Sequence, residues 1–325
     1  GREEPRIERG LDLLPDAILD QHFSQRQRQA RLLAAVTVNP CCVGLGIDEA
    51  TAVIAHQRSL RIIGEGAAHL CFAATKYHPA EQRALRPGTR DLDWTTLVRT
   101  QRERQLEPFP ASLVRVDQEA ATEVDSVRSV PHGSLLIVGG GGATDEIWQT
   151  FVERAGGPSA RIVILPTAVP PREITGSAAQ SFEARQFARR GVKDIRVLPA
   201  IDFDTVNSDE FCQKLSTATG IWFGGGRQWR FVDAYEDTKA VAAMNQCLQN
   251  GGIIGGSSAG ATIQGELLIR GAPVGNQIMV QDGYRRGFGF LPGFGIDQHF
   301  AQRNRFLDLE QTIREFPAIV GVGID

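Results

Sequence analysis

The chain has 325 residues, of which 42% are hydrophobic and 22% are charged, and its formal net charge is −3. These values are typical of a globular protein long enough for two domains, and the near-neutral charge argues against a nucleic-acid partner. No apolar run approaches the roughly 18 residues needed to span a membrane, and no basic-then-apolar leader begins the chain. We therefore expect a cytoplasmic protein with no membrane partner, and export stays open because the chain begins at Gly1 rather than Met.

The five cysteines are too few and too irregularly placed to form a recognisable framework. Their number is odd, two of them are adjacent at Cys41 and Cys42, and no Cys-x-x-Cys pair occurs. This pattern argues against both disulfides and a zinc site. We expect buried, reduced cysteines that act as small apolar residues, and we expect neither a metal nor a cofactor.

Residues 9–48 and 286–325 repeat one another without a gap. Asp20-Gln21-His22-Phe23 recurs as Asp297-Gln298-His299-Phe300, at an offset of 277 residues (297 minus 20), and 18 of the 40 aligned positions are identical. This offset is far longer than the 20 to 50 residues of a solenoid repeat. It is the size of a whole domain.

The repeat predicts parts of two homologous domains in tandem. Residues 1–122 would be the C-terminal portion of a first copy, residues 123–133 a linker, and residues 134–325 the N-terminal portion of a second copy. The linker prediction rests on a polar stretch that ends in Pro131-His132-Gly133. An alternative is a circular permutation in which residues 1–122 fold onto residues 134–285.

From residue 134 onward, short apolar runs alternate with helical patterns. Predicted strands occupy residues 134–138, 161–165, 195–198 and 220–223, and Ile253-Ile254 leads into a turn. Predicted helices around residues 147–152, 181–190 and 239–248 separate them. Continuous apolar strands joined by helices predict a doubly wound, mostly parallel α/β sheet, whose ligands bind beyond the carboxyl ends of the strands.

The turn after Ile253-Ile254 has the form Gly256-Ser257-Ser258-Ala259-Gly260. A serine at the centre of Gly-x-Ser-x-Gly, between a strand and a helix, is typical of a hydrolase nucleophile, because the sharp turn tolerates only small neighbours. The pattern puts Ser258 rather than Ser257 in that role. The N–H of Ala259 is then a candidate oxyanion donor, and Gly225-Gly226 is a candidate for the second donor.

A serine nucleophile needs a base and an orienting acid. His299 lies 41 residues after Ser258, inside the repeated block, and is the candidate base. In the first copy His22 is its counterpart, and Glu49 follows as the candidate acid. The position equivalent to Glu49 in the second copy would be residue 326, so neither copy has all three groups within these 325 residues.

Several motifs in this order resemble the cyanophycinases of the S51 serine peptidase family. They are Gly139-Gly140-Gly141-Gly142, Ile164-Leu165-Pro166-Thr167-Ala168, Phe223-Gly224-Gly225-Gly226-Arg227-Gln228, the Ser258 turn, Asp-Gln-His-Phe and Gly-Ile-Asp-Glu49. The resemblance implies a class I glutamine amidotransferase-like fold, a possible homodimer, and hydrolysis of cyanophycin, a poly-aspartate with arginine on each side chain, to β-Asp-Arg dipeptides. It implies that Ser258 attacks, that His299 or His22 is the base, and that Glu49 orients the base.

The resemblance also implies a set of substrate-binding residues. For Arg26, Arg28 and Arg31 there is a direct argument too, since guanidinium groups bind carboxylates in a bidentate manner. The second copy keeps Arg303 and Arg305 but has Asp308 in place of Arg31, which questions whether both copies bind the same substrate. The remaining members of the set are Gln228, Asp20, Gln21, Asp297 and Gln298.

Other functions stay open at this point. An aspartyl dipeptidase of the same family and a degenerate, non-catalytic copy are the main alternatives. A nucleotide-binding module is suggested by the Gly139–Gly142 run, but this run lacks the second half of the Gly-x-Gly-x-x-Gly pattern.

Overall fold

The computed structural model describes residues 7, 14–90, 92–108, 132–140, 142–174, 176–177 and 180–325. The chain divides into two compact units between residues 109 and 110, which we call unit 1 and unit 2. Most of the predicted linker lies outside the described residues, so the predicted domain boundaries stay predictions. Within the described ranges, no helix has the length and hydrophobicity that crossing a bilayer requires.

Unit 1 is built mainly of strands. Its described elements are, in chain order, β1 (Ala17–Gln21), α1 (Gln29–Val38), β2 (Val43–Ile47), β3 (Thr51–His56), β4 (Ser59–Gly64), β5 (Ala68–Phe72), β6 (Glu81–Leu85), β7 (Leu92–Asp93) and α2 (Trp94–Glu103). One sheet has the order β1-β2-β5-β6, in which β1 and β2 are parallel and the other pairs are antiparallel. A second, antiparallel sheet has the order β3-β4-β7.

Unit 2 alternates strands with helices. Its described elements are β8 (Ser134–Val138), α3 (Asp145–Arg154), β9 (Arg161–Leu165), α4 (Phe182–Arg189), β10 (Asp194–Val197), α5 (Phe203–Val206), α6 (Asp209–Ser216), β11 (Gly220–Phe223), α7 (Trp229–Tyr235), α8 (Lys239–Gln249), β12 (Ile253–Ser257), α9 (Ala259–Thr262), β13 (Gly265–Leu267), β14 (Leu291–Gln298), α10 (Phe306–Glu315) and β15 (Val320–Ile324). The five-stranded sheet β10-β9-β11-β12-β8 is parallel throughout, as is the sheet β13-β14-β15.

The central sheet of unit 2 is covered on both faces. Along β11, Ile221 and Phe223 pack into one buried cluster, whereas Trp222 packs into the other. This alternation follows from the two-residue period of a strand. The predicted doubly wound α/β class is therefore confirmed, and the predicted strands agree with the observed ones to within one residue.

Helix starts in unit 2 follow from local sequence. Thr144, Ser181 and Ser208 precede α3, α4 and α6, and each side-chain oxygen accepts a hydrogen bond from the backbone N–H three residues later. These caps satisfy donors that a helix leaves free at its first turn.

The cysteine prediction is correct only in part. Cys71 and Cys247 are buried, and burial raises the pKa of each thiol to about 12. Cys41, however, is exposed. It lies in the turn between α1 and β2, where the chain passes over the surface.

In each unit, the repeated sequence forms a parallel strand–helix–strand segment. We call residues 17–47 (β1-α1-β2) the first βαβ segment and residues 294–324 (the second part of β14, then α10 and β15) the second βαβ segment. Ala17 is paired with Val43 in the first, and Phe294 is paired with Val320 in the second, so the strand register agrees at the 277-residue offset.

Candidate active site

Ser258 occupies a strained turn at the carboxyl end of β12. Its φ is 55° and its ψ is −111°, and its N–H donates to the carbonyl of Val138 at the end of the neighbouring strand β8. A non-glycine residue in this region costs roughly 1–3 kcal/mol, which the surrounding structure must offset. Such strain is common where a side chain has to be presented for chemistry.

Small residues around Ser258 are required by close backbone contacts. A Cβ at Gly256 would lie 2.5 Å from the carbonyl oxygen of Gly260, and a Cβ at Gly260 would lie 2.2 Å from that of Phe223. The Gly-x-Ser-x-Gly pattern therefore has a steric cause in this fold.

His299 lies against Ser258. Its Nε2 is 3.1 Å from Oγ of Ser258, and it follows directly after β14 with a φ of 49°. Burial, the largest cause, lowers the pKa of His299 below its ordinary value, and Arg303 and Arg305 lower it further, while Gln302 and Asp325 act in the opposite direction. The ring is therefore neutral at pH 7 and able to accept a proton.

The glycine run after β8 makes room for this histidine. A Cβ at Gly140 would lie 1.9 Å from Cε1 of His299, and a Cβ at Gly139 would lie 2.3 Å from the carbonyl oxygen of Ile324. Without side chains, these glycines let the His299 ring and the end of β15 approach the backbone closely. The glycine run therefore has a steric reason that does not involve binding a nucleotide phosphate.

The predicted oxyanion donors surround Ser258. Ala259 begins α9 immediately after it, and a Cβ at Gly225 would lie 3.7 Å from the Cβ of Ser258. Among the described residues, the backbone N–H groups of Gly225, Gly226 and Ala259 have no acceptor. They are available to a negatively charged oxygen at this position.

His22 and Glu49 form a second pair, in unit 1. Nδ1 of His22 is 2.9 Å from Oε1 of Glu49, and both side chains are partly exposed. His22 has a φ of 51°, matching His299. The structure thus contains a serine–histidine pair in unit 2 and a histidine–glutamate pair in unit 1. In the described part of the chain, no carboxylate lies within bonding distance of His299 and no serine hydroxyl bonds His22.

An aspartate holds the turn after each histidine. Asp48 accepts hydrogen bonds from the backbone N–H of Ser24 and from His69, and Asp325 accepts one from the backbone N–H of Ala301. Burial alone would raise the pKa of Asp48, but its hydrogen bonds hold the pKa below the ordinary value. We call these hydrogen bonds from the turn to Asp48 and to Asp325 the aspartate clasps. Because Glu49 follows Asp48 directly, the first clasp also fixes the position of the candidate acid.

The acidic residues of the repeated block bind arginines inside the protein. Asp20 accepts from Arg28 and Arg31, while the fully buried Asp297 accepts from Arg305 and Arg270. Arg28 and Arg305 also donate to the backbone carbonyls of Gln21 and Gln298. These side chains hold the end of the strand that precedes the histidine, and their predicted substrate contacts stay predictions.

The remaining predicted substrate residues differ in exposure. Gln228 is buried, and its amide donates to the carbonyls of Ile269 and Arg270. Arg26 and Arg303 are exposed, and their guanidinium groups have no partner among the described residues. Of the predicted arginines, these two are the ones free to bind a ligand.

Sequence reasoning missed Arg270, which explains the departure at Asp308. Arg270 is fully buried after β13 and donates to both Asp297 and Asp308. In unit 1 the second cation for Asp20 is Arg31, which occupies the position equivalent to Asp308. The sequence did contain one indication of Arg270. A positive residue, Arg31, is replaced by a negative one, Asp308, at the equivalent position, so the second copy needs a positive side chain from another part of the chain.

No site for a metal ion was found: in the ranges that the structure describes, no three side chains of the His, Cys, Asp or Glu type are grouped as metal ligands would be.

Comparison with known proteins gave consistent matches. The family model described as Peptidase family S51 matches residues 135–325. A cyanophycinase of Geminocystis herdmanii is 33% identical over 203 residues, 60% of this chain and 72% of that protein. A cyanophycinase of Synechococcus elongatus is 33% identical over 201 residues, 58% of this chain and 60% of that protein.

The chain therefore spans 60 to 72% of the length of these two relatives. Among solved structures, a peptidase from an acI-B1 actinobacterium matches with a TM-score of 0.46 and 24% identity, covering 60% of this chain and 80% of that one.

Proposed function

Because the chain belongs to peptidase family S51 and has its class I glutamine amidotransferase-like α/β fold, we propose that it is a serine peptidase that hydrolyses cyanophycin to β-Asp-Arg dipeptides. The observation that carries the proposal is the 3.1 Å approach of Nε2 of His299 to Oγ of Ser258 at a strained strand-to-helix turn. The cyanophycinases among its relatives support the choice of substrate.

The reaction begins at Ser258. Neutral His299 takes the hydroxyl proton as Oγ attacks the backbone carbonyl of the polymer, and the negative charge on the carbonyl oxygen is stabilised by the N–H groups of Ala259 and Gly225. His299 then gives the proton to the leaving amine, which departs and leaves an acyl-enzyme ester on Ser258. Water, deprotonated by His299, then attacks that ester, and His299 returns the proton to Oγ of Ser258 as the acyl product leaves.

We propose that the chain holds parts of two S51 copies, as the sequence repeat predicts. The matching register, the left-handed histidines and the aspartate clasps of the two βαβ segments support this organisation. On this proposal Glu49 orients the base of its own copy, and an acid in the equivalent position, directly after Asp325, would orient His299.

Exposed guanidinium groups support the substrate class. Arg303 lies four residues after His299, and its counterpart Arg26 lies four residues after His22. Each could bind a carboxylate of the polymer at its aspartate backbone terminus. The arginines that bind Asp20 and Asp297 would instead stiffen the strand behind the base.

An extended chain tests the proposal. Residues 49–108 are appended a second time directly after Asp325, so that the added Glu49 follows Asp325 as it follows Asp48. Incubation with purified cyanophycin is expected to release β-Asp-Arg. Replacing the added Glu49 by Gln is expected to slow release by up to about 10⁴-fold, as for other triad acids.

Three outcomes would count against the proposal. If the extended chain is labelled by a fluorophosphonate but releases aspartate from aspartyl dipeptides and nothing from cyanophycin, the dipeptidase alternative holds. If it is neither labelled nor active while folded, the copy is degenerate. If the added Glu49→Gln change has no effect on an active chain, the assignment of the acid is wrong.

A further inference from the structure

The glycine loop after β11 borders an acidic side chain from α4. A Cβ at Gly224 would lie 3.9 Å from Oε1 of Glu183, and a Cβ at the next residue, Gly225, would lie 3.7 Å from the Cβ of Ser258. Strand β11 lies between β9 and β12, so this loop leaves the central sheet at the same edge as the nucleophile. The loop therefore has a carboxylate beside one residue and the nucleophile beside the next.

The Glu183 carboxylate is held in place by one of its two oxygens. Ser181, which caps α4, donates its hydroxyl to Oε2 of Glu183 at 2.9 Å and accepts from the backbone N–H of Ala184. Phe182 packs edge-on against Trp148, with 6.2 Å between the ring centroids, which also fixes the start of α4. In the part of the chain that the structure describes, Oε1 accepts no hydrogen bond.

Glu183 differs from other acids at helix starts of unit 2 because it has no positive partner among the described residues. Asp145 at the start of α3 pairs with Arg190, and Asp209 at the start of α6 pairs with Lys239. The helix dipole favours an acid in the first turn of any helix. It does not explain why this carboxylate faces the loop beside the nucleophile with one oxygen unused.

The separation between Ser258 and Glu183 suits one unit of the proposed polymer. Because consecutive Cα atoms lie about 3.8 Å apart, the contacts at Gly224 and Gly225 put Oε1 of Glu183 no more than roughly 15 Å from the Cβ of Ser258. An extended β-Asp-Arg unit spans roughly 12 Å from the backbone carbonyl of its aspartate to its guanidinium carbon, and a hydrogen bond adds about 3 Å. An arginine on the aspartate that is attacked can therefore reach Glu183.

We propose that Glu183 binds the guanidinium group of the substrate arginine and determines specificity for it; this inference rests on the proposed function. The guanidinium donates two parallel N–H groups to the carboxylate, a charge-assisted pair that a neutral urea group cannot form. The arginine thereby positions the carbonyl of its own aspartate at Ser258. Glu183 acts in binding and takes no part in proton transfer.

The test compares two ligands on the 325-residue chain with Ser258→Ala, which prevents cleavage. One ligand is an oligomer of three β-Asp-Arg units, and the other has citrulline, a neutral analogue of similar shape, in place of each arginine. Calorimetric titration is expected to show at least about tenfold tighter binding of the arginine oligomer. Adding Glu183→Gln is expected to remove most of this preference.

Glu173→Gln is the matched control. Glu173 lies in the segment between β9 and α4, its side chain is 53% exposed, and it pairs with Arg172. Both variants lose one negative charge, so any long-range attraction of the arginine oligomer falls similarly in both. The preference is expected to survive in Glu173→Gln. Glutamine at residue 183 can still accept the hydrogen bond from Ser181, and thermal unfolding establishes that both variants remain folded.

Three results would overturn the proposal: the chain binds both oligomers equally or neither of them, Glu183→Gln keeps the preference, or Glu173→Gln loses it as fully. All three are measured on a chain that cannot catalyse the reaction. Release of β-Asp-Arg by the extended chain tests the proposed function separately, so a failure of the subsite and a failure of the function are distinguishable.

Discussion

The first and second βαβ segments have nearly the same local structure in different surroundings. Leu19 in β1 is 61% exposed, whereas the equivalent Ile296 in β14 is fully buried, because β13 pairs with β14 and β1 lies at the edge of its described sheet. The opposite holds for the second strands, since β2 is buried between β1 and β5 whereas β15 is half-buried at the edge of its described sheet. Local sequence sets the turn, the clasp and the register, whereas neighbouring strands set the burial.

The two segments also differ in the partner of their histidine. His299 contacts a serine, and His22 contacts a glutamate. The variants below break or sharpen this contrast, in order of decreasing expected effect.

The largest effect is expected from Ser258→Ala. This change removes the hydroxyl that contacts His299 in unit 2. Loss of a catalytic serine lowers the reaction rate by at least about 10⁴-fold. Fluorophosphonate labelling of the full chain, followed by mass spectrometry, is the measurement. Ser257→Ala is the control and should still be labelled; equal labelling of Ser258→Ala and the parent would rule out Ser258 as the nucleophile.

Arg270→Ala is expected to destabilise unit 2 by about 3–5 kcal/mol, because it leaves the buried Asp297 with Arg305 as its single cation. Arg31→Ala removes the corresponding cation of Asp20 in unit 1, but the Arg31 side chain is 52% exposed and its loss is expected to cost about 1 kcal/mol or less. Urea unfolding of both variants measures the difference. Equal losses would show that Arg270 and Arg31 do not play different parts.

Gly140→Ala is expected to lower the activity of the extended chain by about 10²-fold, because its Cβ would displace the ring of His299 from Ser258. Gly142→Ala is the control: its φ is also positive, but no atom of the described residues lies within 4 Å of the added carbon. If both variants fold and lose activity equally, backbone strain rather than the histidine contact is responsible.

The smallest effect is expected for the titration of His299. In the 325-residue chain its pKa lies below the ordinary 6.5, so NMR titration of the ring should have its midpoint below that pH. Arg303→Gln removes a nearby positive charge and should raise the pKa of His299, moving the midpoint to higher pH, whereas Arg303→Lys should leave it in place. A midpoint that does not move on Arg303→Gln would contradict the assigned charge effect.

Much of unit 2 could be predicted because its strands are continuous apolar runs with glycines at their ends. The doubly wound class and the strands at residues 134–138, 161–165 and 220–223 are confirmed. The catalytic assignment of Ser258 and His299 stays a prediction, although the structure brings the two side chains together.

What the sequence did not predict depends on distant contacts. Arg270 lies in an apolar run, and its partners Asp297 and Asp308 are 27 and 38 residues away, so no local pattern marks it. The antiparallel strands β3 to β7 of unit 1 escaped prediction too. The partial exposure of β15 could not be foreseen either, because its sequence is nearly that of the buried β2.

The near-identity of β2 and β15 has a consequence for biosynthesis. Because β15 repeats the Val-Gly-x-Gly-Ile pattern of β2, it is an alternative partner for β5 in an unfolded chain, and mispairing of this kind is a characteristic failure of chains with repeated sequence. During translation, however, β5 emerges some 250 residues before β15, at a rate of about 5–20 residues per second. The pairing with β2 thus has many seconds to form before its competitor exists, so the order of synthesis itself protects the native arrangement, and refolding of the full-length chain from denaturant loses that protection.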